Sequence, residues 1–206
     1  MAHPHRFSDV TGFVLAGGAS RRMGRDKALL ALGHETILQR QVRTLRAVCD
    51  GVVVIGSPER YSGLAGPVIP DDLIGGGPLR GIYTGLRHTR TEFNLFLGCD
   101  LPFMQARFLR VLAARALEDG ADVTVPQTLD GCLQTLCAVY RRHALGAIRS
   151  RLAAGENMIR RVFPRIHCRV VEWPEIARAI FSRRIFDNMN TPTDYETAKR
   201  MTSFEL

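Results

Sequence analysis

The apolar residues of this chain fall into short continuous runs, not into a strict alternation with polar ones. Residues 13–15, 52–55 and 68–69 are such runs; 93–98, interrupted by Asn94, and 122–125, with Asp122 and Thr124 among its valines, are read with them. Each reads as a strand buried on both faces, as in a parallel sheet. Between them the apolar positions recur at helical spacing. Ile37, Leu38, Val42, Leu45 and Val48 make one stripe in a helical stretch over 26–48, broken near Gly33-His34, and residues 82–88 and 107–119 predict two more helices. Strand, helix and strand in repetition predict a parallel sheet covered by helices on both faces. The last third is less regular. It predicts strands at 136–140 and 166–171, helices at 143–152 and 193–201, an extended piece at Phe186 and a loop at 188–192. We expect a flexible stretch over 1–9, then a single α/β domain over 10–202. Its sheet should be mixed but mostly parallel and Rossmann-like.

In sheets of this kind ligands sit beyond the carboxyl ends of the strands. Three loops rich in small or acidic residues begin at such ends: Ala16 after the first run, Asp71 after the third, and Cys99-Asp100 after the fourth.

Composition narrows the ligand. The 206 residues suffice for one full core, and no apolar run is long enough to cross a membrane. The first residues lack the apolar core of a signal peptide, so a soluble cytoplasmic protein is expected. The net charge of +8 is almost all arginine; Lys27 and Lys199 are the only lysines. The basic residues are scattered, which argues against nucleic acid and for a phosphorylated small molecule. Five cysteines, an odd number without a C-x-x-C pair, suggest neither a disulfide framework nor a zinc site.

The first loop carries the clearest chemistry. Residues 16–20 are all small, and glycine lets backbone N–H groups close on an anion. Arg21, Arg22, Arg25 and Lys27 follow. Lys27 as a compact charge and Arg22 as a bidentate fork are expected to neutralise a triphosphate, with Arg21 and Arg25 facing solvent. The spacing matches neither G-x-G-x-x-G nor the P-loop. Asp100 follows an apolar strand, where a hard carboxylate suits Mg²⁺ or caps a turn. Asp71 is placed in the same way after the third strand. It suits either a guanine edge, whose N1–H and N2–H₂ are donors, or a turn. Asn188 and Asn190 alternate, so an extended backbone puts both amides on one side.

Residues 15–30, LAGGASRRMGRDKALL, resemble LAGGxSxRMGxDKALL, the signature loop of the molybdenum cofactor guanylyltransferase family. The likeness extends over most of the chain. Gly77 to Gly81 is similar to the family's GPLAG segment, with Arg80 in place of a small residue. The stretch at 186–192, FDNMNTP, resembles its FxNxNTP element. The resemblance implies a Rossmann-like nucleotidyltransferase that joins GMP from GTP to molybdopterin, with Mg²⁺ as cofactor. It implies GTP contacts at Leu15, Ala16, Gly17, Gly18, Lys27, Asp71, Gly81 and Asp100. It gives catalytic roles to Arg22, Lys27 and Asp100, makes Asp100 the metal ligand, and gives the pterin to Asn188 and Asn190. It also implies a monomer, with molybdenum-insertion proteins and recipient molybdoenzymes or their chaperones as partners. The alternatives are a pterin cytidylyltransferase, whose loop reads LAAG, another nucleotidyltransferase with LAAGxGxRM, and a nucleotide-binding protein without turnover.

Overall fold

The structure is a computed structural model that describes residues 6–17, 25–73, 77–179 and 182–202. Strand β1 (Phe7–Leu15) opens the chain. It begins inside the stretch expected to be flexible. Phe7 N–H donates to the Val48 carbonyl, and a register shift between Phe7 and Thr11 absorbs the exposed Ser8-Asp9 pair.

The expected long helix over 26–48 is corrected in its first half. A 3₁₀ turn (Lys27–Leu29) leads into a small hairpin of β2 (Ala31–Leu32) and β3 (Glu35–Thr36). Gly33 makes the turn between them at φ +65°, a conformation that ends any helix there. Thr36 then caps α1 (Ile37–Arg46). Its hydroxyl accepts from Gln39 N–H while the Gln39 side chain accepts from Thr36 N–H.

Strand β4 (Cys49–Ile55), the one-turn helix α2 (Pro58–Tyr61), β5 (Val68–Ile69), α3 (Pro78–His88), β6 (Phe93–Gly98), α4 (Ala106–Asp119) and β7 (Val123–Pro126) follow. Then come β8 (Cys137–Arg141), α5 (Leu145–Ala153), β9 (Cys168–Val171), α6 (Trp173–Ala179) and α7 (Pro192–Thr202). Phe186, expected in an extended piece, instead ends a 3₁₀ turn (Arg183–Phe186) capped by the Ser182 hydroxyl.

Seven strands form one sheet in the order β5-β4-β1-β6-β8-β7-β9. Every neighbouring pair is parallel except the two that involve β8. Successive strand residues point to opposite faces, so each run feeds two cores. Val14, Val54, Leu95 and Leu97 pack under α1 and α4, against Leu38, Leu45, Phe108 and Leu112. Phe13, Ile55 and Phe96 pack under α3 and α5, against Ile82, Leu86 and Ile148. Each fully buried aliphatic or aromatic side chain contributes about 1.5–3 kcal/mol.

Helix α3 rides close to the sheet on glycines. A Cβ on Gly85 would lie 2.7 Å from the Phe96 ring and 3.0 Å from Ile55 Cδ1. That ring cannot yield, since it stacks on Phe13 at 5.0 Å and meets Tyr140 edge-on at 5.5 Å. Gly146, in α5, has nothing within 4 Å of the same position. Opposite outcomes are therefore expected for one chemical change. Gly85→Ala should lower unfolding stability by about 1–3 kcal/mol through overpacking. Gly146→Ala should raise it by about 0.5–1 kcal/mol through helix propensity. Urea denaturation of the two variants checks both signs.

Candidate active site

The parallel register lines up four strand ends. Ile69 pairs with Ile55, Ile55 with Leu15, and Leu15 with Gly98. The residues that follow, Pro70-Asp71, Gly56, Ala16 and Cys99-Asp100, therefore leave the sheet along one edge. They surround a cleft of about 600 Å³, a volume suited to a nucleotide-sized ligand. Leu15, Ala16, Gly17, Lys27, Asp71, Gly81 and Asp100 all line it. Gly18, Arg21 and Arg22 lie outside the described residues.

Two glycines shape the mouth of the first loop. Gly17 has φ +119° and open space where a Cβ would stand, so its backbone is bare to the cleft. A Cβ on Gly56 would collide with the Ala16 carbonyl oxygen, so β4 must leave the sheet through glycine.

Where the description resumes, Asp26 organises the loop. Its Oδ1 accepts from Ala28 N–H at 3.1 Å and caps the 3₁₀ turn that starts at Lys27. Its Oδ2 accepts from the Tyr61 hydroxyl at 2.6 Å. Burial first, and then the Asp26 bond and charge, push the Tyr61 hydroxyl well above its ordinary range, so it stays a donor. Lys27 Nζ donates to Asn190 Oδ1 at 2.7 Å. The first loop and the C-terminal segment, read from sequence as serving separate ligands, are thus joined.

Asp100 sits in the turn after β6. Its carbonyl accepts from Met189 N–H at 2.8 Å, which docks the segment before α7 on the same turn. Its Oδ1 is buried and has no hydrogen-bond partner among the described residues. Burial raises the Asp100 pKa, against the opposing pulls of a hydrogen bond from its own backbone N–H and of the Lys27 charge. Neighbouring Cys99 is buried too. Desolvation and the Asp100 and Asp26 charges push its thiol up, so it stays protonated and is no nucleophile.

Asp71 is braced by α3. Its Oδ1 accepts from Thr84 Oγ1 at 2.8 Å and from Leu73 N–H at 3.3 Å. Asp72 is turned to other partners, Arg87 at 3.0 Å and His88 at 3.1 Å. Gly81 is needed for packing: a Cβ there would lie 2.8 Å from Leu15 Cδ2. Arg80 Nε donates to Asn157 Oδ1 at 3.3 Å. The alternation at the asparagines holds, with Asn188 and Asn190 exposed and Met189 buried between them. Neither asparagine lines the cleft, and Asn190 reaches it through Lys27. Asp194 Oδ2 accepts from Asn190 N–H and Thr191 N–H, both at 2.8 Å, and so fixes that segment at the start of α7.

Asp26 and Tyr61 were not singled out from sequence. Asp26 stands in the loop motif itself, beside Lys27, and its capping position was the signal available. Tyr61 lies 35 residues further on, and nothing local marks it.

The chain is similar to known proteins. The MobA-like NTP transferase domain family matches residues 12–170. A probable molybdenum cofactor guanylyltransferase from Carboxydothermus hydrogenoformans is 32% identical over 197 residues, covering 96% of this chain and 98% of its own. One from Pelotomaculum thermopropionicum is 36% identical, covering 93% of each. The crystal structure of molybdopterin-guanine dinucleotide biosynthesis protein A from Archaeoglobus fulgidus superposes with a TM-score of 0.83 at 22% identity, over 94% of this chain and 99% of that one, and so supports the fold. The chain belongs to the MobA-like nucleotidyltransferases, within the molybdenum cofactor guanylyltransferase family.

Proposed function

We propose that this protein transfers GMP from GTP to molybdopterin, giving the guanine dinucleotide form of the cofactor and pyrophosphate. The observation that carries the reading is the convergence of the glycine loop, Lys27, Asp71 and Asp100 on one cleft at the aligned strand ends. Relatives bearing the guanylyltransferase name at 32–36% identity support the base and the acceptor. Phosphorylated substrates and five free cysteines favour the cytoplasm.

In the reaction the terminal phosphate of the pterin attacks the α-phosphorus of GTP and pyrophosphate leaves. The attacking group is already an anion, so no protein nucleophile is needed. The work left to this chain is alignment and charge neutralisation. Bare backbone at Gly17 and the ammonium of Lys27 meet the triphosphate. The Asp71 carboxylate, held by Thr84, offers acceptors to the guanine edge. The residues fit magnesium through Asp100, since its buried Oδ1 has no donor among the described residues and Mg²⁺ takes one or two carboxylates plus phosphate oxygens. When bound, the ion would offset phosphate charge. Among the described residues no three His, Cys, Asp or Glu side chains cluster, so Asp100 would act with substrate oxygens.

Three measurements test this. With molybdopterin as acceptor and the four nucleoside triphosphates in parallel, pyrophosphate release should be well above the rest for GTP. Equal or faster turnover of CTP would overturn the guanylyltransferase reading. Asp100→Asn should fold normally by circular dichroism and lose roughly 100-fold in kcat. Near-wild-type rates would make Asp100 a turn residue. The third concerns the bridge across the cleft. Calorimetric GTP titration of Lys27→Ala, Asn190→Ala and the double variant should give a coupling of about 0.5–3 kcal/mol. Asn188→Ala should leave GTP affinity unchanged and weaken pterin binding. Strict additivity for the first pair would mean that Asn190 serves the pterin alone.

A further inference from the structure

We propose that Gln41 is a positioning residue for the metal-binding carboxylate, gripping the Asp100 turn from beneath; this rests on the reading that Asp100 holds magnesium. Gln41 lies in the middle of α1 and is 0% exposed, among Ile37, Leu38, Val42 and Leu45. The helix pattern asks for an aliphatic side chain at such a position. Instead, Nε2 donates to the Gly98 carbonyl at 3.2 Å and to the Leu101 carbonyl at 2.7 Å. These two carbonyls bracket Asp100. Both can only accept, so the amide nitrogen must face them. Oε1 is then left buried with no hydrogen-bond partner among the described residues. An unpaired buried carbonyl is destabilising, and an aliphatic residue of similar length would avoid it. What the amide holds accounts for its presence.

The turn is held from the other side by Met189 N–H on the Asp100 carbonyl. The carboxylate itself folds back over Gly98, where a Cβ would lie 2.5 Å from Asp100 Oδ1. With no donor on Oδ1 among the described residues, the aim of that oxygen is set by the backbone of the turn. Releasing the Gln41 clamp would let the carboxylate swing while the sheet and helices stay in place. Partners of this kind orient a ligand and tune affinity without touching the ion.

Gln41→Met keeps length and volume and removes the donor; Gln41→Leu removes it with a shorter, stiffer side chain. Binding of Mn²⁺ to each variant in the presence of GTP is followed by water-proton relaxation, beside wild type and Asp100→Asn. Thermal melting is recorded for all four proteins. The expected result is roughly tenfold weaker Mn²⁺ binding for the Gln41 variants, in the range for residues that orient a metal ligand. Their melting temperatures should stay close to that of wild type, because the unpaired Oε1 is removed while the Gly98 and Leu101 carbonyls lose a donor, Leu101 keeping that of Met104 N–H. A residue that only supports the core would do the reverse, lowering the melting temperature and leaving Mn²⁺ affinity alone. If Asp100→Asn loses Mn²⁺ while both Gln41 variants bind it as wild type does, the role of Gln41 is overturned and the metal assignment stands. If Asp100→Asn binds Mn²⁺ normally, the metal assignment fails and this proposal falls with it.

Discussion

Everything at the cleft depends on the in-register parallel pairing that sets Ile69, Ile55, Leu15 and Gly98 side by side. Parallel neighbours run about 4.8 Å apart, so one row of four residues spans the width of a nucleotide. The loops leave from that row in the same direction because the strands do. A one-residue slip of β1 would turn Val14 and Leu15 to the wrong cores and withdraw the glycine loop from Asp100. Burial on both faces prevents such a slip. Phe13 and Val14 are each nearly inaccessible and belong to opposite cores.

That double burial also explains which elements could be read from the chain. Residues 52–55 and 95–97 are continuous apolar runs because both faces of the sheet are covered there. The first half of β1 was missed for the converse reason, as Ser8 and Asp9 are exposed and break the run. The hairpin at 31–36 was hidden in a helical pattern. Leu30, Leu32, Ile37 and Leu38 are all buried and their spacing fits a helix; only Gly33 in the left-handed region gives the hairpin away. Helix α2 is one turn long and α6 two, too short for a periodic stripe to stand out.

The site divides in the same way. Leu15 to Gly17, Asp71 and Asp100 were legible because each ends or follows a recognisable strand, and the sheet rule says where such residues gather; Lys27 was legible from the loop motif. The contacts that organise them were not. Tyr61 reaches Asp26 across 35 residues, Gln41 reaches Gly98 across 57, and Lys27 reaches Asn190 across 163. These are products of topology, and spacing along the chain carries no trace of them.

The choice of Lys27's partner has physical consequences. Asp26 and Asp100 are both near, yet the short bond of the ammonium goes to a neutral amide. A hydrogen bond between two ionised groups is roughly twice as strong as one between neutral groups, so a carboxylate would hold lysine more firmly than Asn190 does. Asp26 is occupied by Ala28 N–H, by Tyr61 and by Arg60 at 3.5 Å. Asp100 keeps its Oδ1 buried without a donor among the described residues. The arrangement therefore leaves the lysine ordered but weakly held. In the reaction proposed above, phosphate oxygens, being charged, would outcompete an amide for it. The exchange would free the Asn190 carbonyl oxygen on the side of the cleft where Asp194 has already fixed its backbone. On that reading, one hydrogen bond would link the occupancy of the triphosphate side to the state of the segment beside it, with no change in the sheet below.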